Sequence, residues 1–114
     1  MIVYRIMPDD AIERLELDNS TQGALYEGLK EAVGGYIEVL VLSDKAALVA
    51  DTEGHLKGLE ANSVASVIAM RPLFGPVVAV GFMATLKGDV FTDAPAELID
   101  HMRYLTGGNH GDAE

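Results

Sequence analysis

The side chains in this sequence that could do acid–base work are few. Asp51 and Glu53 lie two residues apart, and Glu38 lies upstream in a β-branched run. Two carboxylates can share a proton and serve as acid and base only if they are buried together. Asp51-Thr52-Glu53-Gly54 reads as a polar turn, so both carboxylates are expected in water, with Lys57 offsetting their charge. The three histidines, His55, His101 and His110, form neither an H-x-x-x-H nor an H-E-x-x-H pair. Each is expected in a packing or solvent-facing role. Ser20, Ser43, Ser63 and Ser66 sit in no G-x-S-x-G elbow and have no histidine nearby in sequence, which nucleophilic catalysis would need at hand. Neither a phosphate-cradling G-x-x-x-x-G-K-[ST] loop nor a G-x-G-x-x-G turn occurs. The acid and glycine alternation after Asp51 lacks the ligand spacing of a calcium loop. With no cysteine in the chain, thiolate catalysis and cysteine-type zinc sites are excluded. The residues therefore predict no enzyme, no metal and no cofactor.

The elements that would position these residues centre on Val33–Asn62. A first strand is expected over Met1–Met7, followed by the Pro8-Asp9-Asp10 turn. Alternation from Ile12 to Asp18 predicts a second strand, with a helix over 9–17 as the competing reading. Asp18-Asn19-Ser20-Thr21 offers N-caps for a helix from Thr21 to Val33, with Leu25, Leu29 and Val33 as its buried stripe. Gly34 suits the left-handed turn that ends a helix, and Gly35 lets the chain reverse. Tyr36–Leu42 reads as a central strand and Ala46–Ala50 as its partner. Asn62 caps a helix carrying Val64, Val67, Ile68 and Arg71, which Pro72 stops. Val77–Ala84 is apolar on both faces, which predicts a buried strand, and Gly81 within it marks a bulge or a close packing contact. Asp89-Val90-Phe91 is expected to make a brief edge pairing. Thr92 or Asp93 is expected to cap a last helix with Leu98, Ile99, Met102 and Leu105 inward and Pro95 in its first turn.

These elements predict an α+β fold: a mixed, mainly antiparallel sheet of four or five strands covered by three helices, in the order β-β-α-β-β-α-β-α. Strands 36–42, 46–50 and 77–84 are expected at its centre. One domain is expected over 1–106, followed by a flexible acidic tail over 107–114.

Charge and composition narrow the function classes. A net charge of −10 opposes direct binding to nucleic acid or an anionic membrane. Half the chain is hydrophobic, at 49%, which predicts either a core that is large for the length or apolar surface covered by a second copy or another partner. The first ten residues do not read as a signal peptide, and no apolar run is long enough to span a bilayer. With the missing cysteines, this predicts a cytoplasmic protein.

Three strings then point to a family. Val33–Glu38 reads VGGYIE, Asp51–Asn62 follows D-x-E-G-x-L-K-G-L-x-x-N, and Gly75–Gly81 reads GPVVAVG. Over roughly residues 1 to 84 the chain resembles the domain-of-unknown-function family numbered thirty-eight forty-six. The resemblance carries no activity. It implies a small accessory protein of bacteriophages, plasmids or other mobile elements, working in the cytoplasm of a bacterial host. The favoured expectation is a non-enzymatic protein that binds and modulates a host protein, with self-association as a homodimer beside it. A small-ligand or nucleotide-sequestering protein, and a nucleic-acid mimic that inhibits a DNA-binding enzyme, are the alternatives. The candidate ligand or partner surface is Gly34, Gly35, Tyr36, Glu38, Asp51, Glu53, His55, Lys57 and Asn62.

Overall fold

The computed structural model describes residues 1–107. Of the acidic tail expected over 107–114, residues 108–114, His110 among them, lie outside the described residues. Nine elements follow in order: β1 (Ile2–Ile6), β2 (Ile12–Glu16), α1 (Gln22–Val33), β3 (Ile37–Val41), β4 (Ala46–Asp51), α2 (Ser63–Ala69), β5 (Val77–Thr85), β6 (Gly88–Thr92) and α3 (Ala96–Leu105). The fold is α+β, and every strand pairing is antiparallel. The brief pairing expected near 89–91 is a full sixth strand.

The sheet runs β2-β1-β5-β4-β3, with β6 paired to the outer half of β5. Side chains alternate between its faces, so β4 feeds two cores. Ala47 and Val49 join Val3, Val78 and Val80 beneath Leu29, Ala32 and Val33 of α1. Ala46, Leu48 and Ala50 join Ile6, Val77 and Ala79 beneath Val64 and Ala65 of α2 and Leu98 and Met102 of α3. That two-sided demand is why β4 and the first half of β5 contain only apolar residues before Asp51 and Gly81.

Three expectations need correction. Residues 36–42 do not form a central strand: among the described residues β3 pairs only with β4 and ends the sheet. A run of Ile, Val and Leu has the same composition at an edge as at a centre, because one packed face already demands it. The helix after Asn62 ends at Ala69, with Met70 in the left-handed conformation, and Val67 faces solvent. Finally, neither Thr92 nor Asp93 caps α3. Pro95 is its N-cap, and the Asp93 carboxylate instead accepts from the Ile2 N–H at 2.8 Å. The Ala94 N–H donates to the Ile2 carbonyl beside it, so this segment clamps the start of β1.

Candidate functional site

Helix α1 begins where Thr21 Oγ1 accepts the Ala24 N–H and ends at Gly34, whose φ of 88° is the left-handed turn that glycine enters without a Cβ penalty. The Gly34 and Gly35 N–H groups both donate to the Lys30 carbonyl. This end of α1 lies over the last residue of β4. Asp51 points to the α1 side of the sheet, and its side chain is 1% exposed. Lys57 closes the arrangement: its Nζ lies 2.6 Å from Asp51 Oδ2 and 3.4 Å from the Gly34 carbonyl. The ammonium thus serves the buried carboxylate and the negative end of the helix together. Asp51 Oδ1 accepts the Glu53 N–H at 2.8 Å.

Gly35 is required here for room. A Cβ at this position would lie 2.5 Å from Lys57 Nζ and 2.7 Å from Asp51 Oδ2. The ion pair fills the space under the glycine, which leaves no place for a ligand atom. Burial pushes the Asp51 carboxyl up, but the Lys57 ammonium and the Glu53 N–H outweigh burial and hold it below the usual carboxylate range.

A pH dependence follows with a defined sign. A depressed folded-state pKa contributes stability that is complete above the unfolded value near 3.8 and is lost as pH falls through the lower folded value. Asp51→Asn is expected to cost about 2 kcal/mol at neutral pH. That is less than for a fully buried pair, because Lys57 can turn to water. The substitution should also flatten the acid limb of stability against pH. Urea midpoints measured from pH 7 to pH 2.5 test this, and an unchanged acid limb in the variant would refute it.

The other candidate residues contribute no side-chain hydrogen bond to this cluster. Tyr36 is exposed beside it, with Lys30 Nζ 4.9 Å from the centre of its ring. Glu53 is exposed. His55 stacks on Phe74 at 4.7 Å between ring centres. Glu38 points to the opposite face of the sheet, where Arg71 reaches it at 3.1 Å. Asn62 lies inside the core as the N-cap of α2. Gly34, Gly35, Asp51 and Lys57 are therefore brought together, and Glu38, His55 and Asn62 are not. The assembled four make an ion-paired junction between helix, strand and loop. Among the described residues, no group of three or more histidine or acidic side chains is placed to hold a metal ion, and no helix is long and apolar enough to cross a membrane.

The surface features that stand out were not singled out from the sequence. The Phe82 N–H still donates to the Lys45 carbonyl, but beyond it β5 continues as far as Thr85 with β6 as its sole strand partner among the described residues, so the two strands project as an arm. Met83 and Val90 are direct cross-strand partners there. Met83 is 50% exposed, and Leu86 at the tip is fully exposed. Val77–Ala84, expected to be buried throughout, is buried only to Gly81. The signal that could have revealed the arm is geometric: a strand of nine residues outruns a partner of six. Between the arm and the start of α1 lies a cleft of about 720 Å³, with Leu25, Leu29, Tyr26 and Phe91 among its walls.

A family profile described as a domain of unknown function, DUF3846, matches residues 1–107, which carries the likeness through the last helix. The comparison with proteins of curated function finds no match. Among solved structures, the chain is similar to one titled "Crystal structure of small RNA methyltransferase HEN1". The identity is 12% and the TM-score 0.60, over 90% of this chain. The chain spans 16% of the length of that protein. At this identity the likeness is one of fold.

Proposed function

The chain belongs to the DUF3846 family, and we propose that it is a non-enzymatic binding protein: a small, acidic bacteriophage or mobile-element accessory protein that binds a host protein in the bacterial cytoplasm and modulates it. The observation that carries this reading is the β5–β6 arm. Met83 is half-exposed beside its cross-strand partner Val90, and Leu86 is fully exposed in the turn at the tip; exposed apolar side chains gathered on a projecting element are a feature of interaction surfaces. Methionine adapts its shape to a partner at low cost. The net charge of −10 favours a partner whose contact surface is apolar at its centre and basic at its rim.

The test uses the full chain as bait in bacterial lysate with crosslinking, beside the Met83→Ser/Leu86→Ser double variant. Any partner captured is then purified and titrated against both proteins. Two central apolar anchors are expected to be worth about 3 kcal/mol together, so the double variant should bind about a hundredfold more weakly. Equal affinity for both proteins, or a wild-type bait that recovers nothing specific, would overturn the reading.

The cleft beside the arm supports a second reading, a small-ligand or nucleotide-binding protein. It has the size of a small-molecule site and a mostly apolar wall. A thermal-shift screen with nucleotides separates the two, because a ligand bound to the folded state raises the apparent melting temperature. Tyr26 and Phe91 line the cleft. A shift abolished by Phe91→Ala, with partner binding retained, would favour this second reading.

A further inference from the structure

The open edge of the sheet at β3 has the chemistry of a self-pairing strand. In an antiparallel ladder the N–H and C=O groups of successive residues point to opposite sides of the strand. The Leu42 N–H donates to the Ala46 carbonyl, and the Tyr36 carbonyl accepts from the Thr52 N–H. The even-numbered residues of β3 are therefore bonded to β4. The N–H and C=O groups of Ile37, Val39 and Val41 point away from the sheet, and no other strand among the described residues pairs with this edge.

The two edges of the path are defended differently. β2 carries Glu13, Arg14 and Glu16 in five residues, which is how sheets discourage edge-to-edge pairing. β3 carries a single charge, Glu38, and Arg71 already holds it. Val39 is 39% exposed and Val41 57%, both on the α1 side of the sheet. Across the edge, Val67 and Met70 at the end of α2 add further exposed apolar surface.

We infer that β3 pairs with β3 of a second copy, antiparallel and two-fold symmetric about Val39. The register follows from the outward peptide groups. Val39 faces Val39 of the other copy, and Ile37 faces Val41 in both directions. Each of these three pairs exchanges two backbone hydrogen bonds. On the α1 side the facing side chains are then all branched and apolar. On the other side each Glu38 faces a leucine, Leu40, and each brings its own Arg71, so no unpaired like charges meet. The same operation on β2 would set Arg14 against Arg14. The product is one continuous sheet through both copies, and the proposal is independent of the arm and of any host partner.

Two copies at −10 repel one another, so association should tighten as salt screens them. Sedimentation velocity on the full chain is expected to show a monomer–dimer equilibrium that shifts toward dimer between 50 mM and 500 mM salt. Val39→Lys places two ammonium groups at the symmetry axis and should weaken the dimer at least a hundredfold while the circular dichroism spectrum is unchanged. A cysteine-free chain allows a sharper test of register. Facing residues in a hydrogen-bonded pair lie about 5.5 Å apart between Cα atoms, within disulfide reach. Val39→Cys should therefore give a covalent dimer under mild oxidation. In Val41→Cys the two thiols are offset by four residues, about 14 Å along the strand, and should stay reduced. A wild-type chain that remains monomeric at high concentration and high salt would overturn the proposal. So would equal crosslinking of the two cysteine variants.

Discussion

Asn62→Ala should destabilise this protein by about 4 kcal/mol, a large share of the 5–15 kcal/mol that holds a typical domain together. The expectation comes from counting what the side chain satisfies. Asn62 is fully buried. Its Nδ2 donates to the Ile6 carbonyl at 2.9 Å and to the Gly75 carbonyl at 2.8 Å. Its Oδ1 accepts the Ala65 N–H and so caps α2. One side chain thus joins the end of β1, the entry to β5 and the start of a helix. Alanine leaves the Gly75 carbonyl and the Ala65 N–H unpaired in the core, the latter being the lost cap, and takes one of its donors from the Ile6 carbonyl, each loss costing about 1–2 kcal/mol. Asn62→Asp is the informative control. It keeps a capping oxygen, but it sets a carboxylate against two carbonyls that need donors, so it should be at least as damaging as alanine. Urea unfolding of the three proteins measures this. A loss near 1 kcal/mol for alanine, with aspartate tolerated, would mean that Asn62 acts only as a cap.

Gly81→Ala is expected to cost about 3 kcal/mol, for a steric reason. At Gly81 strand β5 faces Ala46 of β4 and Thr92 of β6. The chain leaving β6 crosses close over it. An added Cβ would lie 2.1 Å from the Asp93 carbonyl oxygen and 2.1 Å from Thr92 Oγ1. A backbone carbonyl cannot step aside as the tip of a long side chain can, so the segment itself must move, and overpacking of this kind typically costs 1–3 kcal/mol. The segment carries the clamp on β1 through the Asp93 carboxylate and the Ala94 N–H. Hydrogen exchange should therefore speed up at Ile2 and Ala94 and along the arm in Gly81→Ala, while Leu48 and Val49 in β4 stay protected up to the new global stability. Faster exchange in β4 alone would place the damage elsewhere.

Particular residues show how far pattern reading reaches. Thr21, Gly34 and Asn62 were readable as helix caps because a cap depends on a few consecutive residues, and local chemistry decides it. Gly35, Asp51 and Lys57 were readable as a neighbourhood, but their contact was not. Asp51 looks solvated when it is taken as a turn residue. It becomes buried because β4 carries it under the end of α1, and only then does it need a cation. His55 and Glu38 belonged to the same strings, yet the sheet sends Glu38 to the opposite face, since successive residues of a strand point to opposite sides and Glu38 is out of phase with the Asp51 face.

Composition and periodicity by themselves determined the α+β class, the order of the elements apart from β6, the caps at Gly34 and Asn62, the absence of thiol chemistry, and a charge that repels phosphate. Each of these is settled within a few neighbouring residues or by a sum over the chain. Only the tertiary structure decided which strands end the sheet, which half of β5 leaves the body, and which carboxylate is buried. Those depend on pairings between residues dozens of positions apart. Ile-Val-Leu runs such as β3 and β5 fit a central, an edge or a projecting strand equally well until their partners run out.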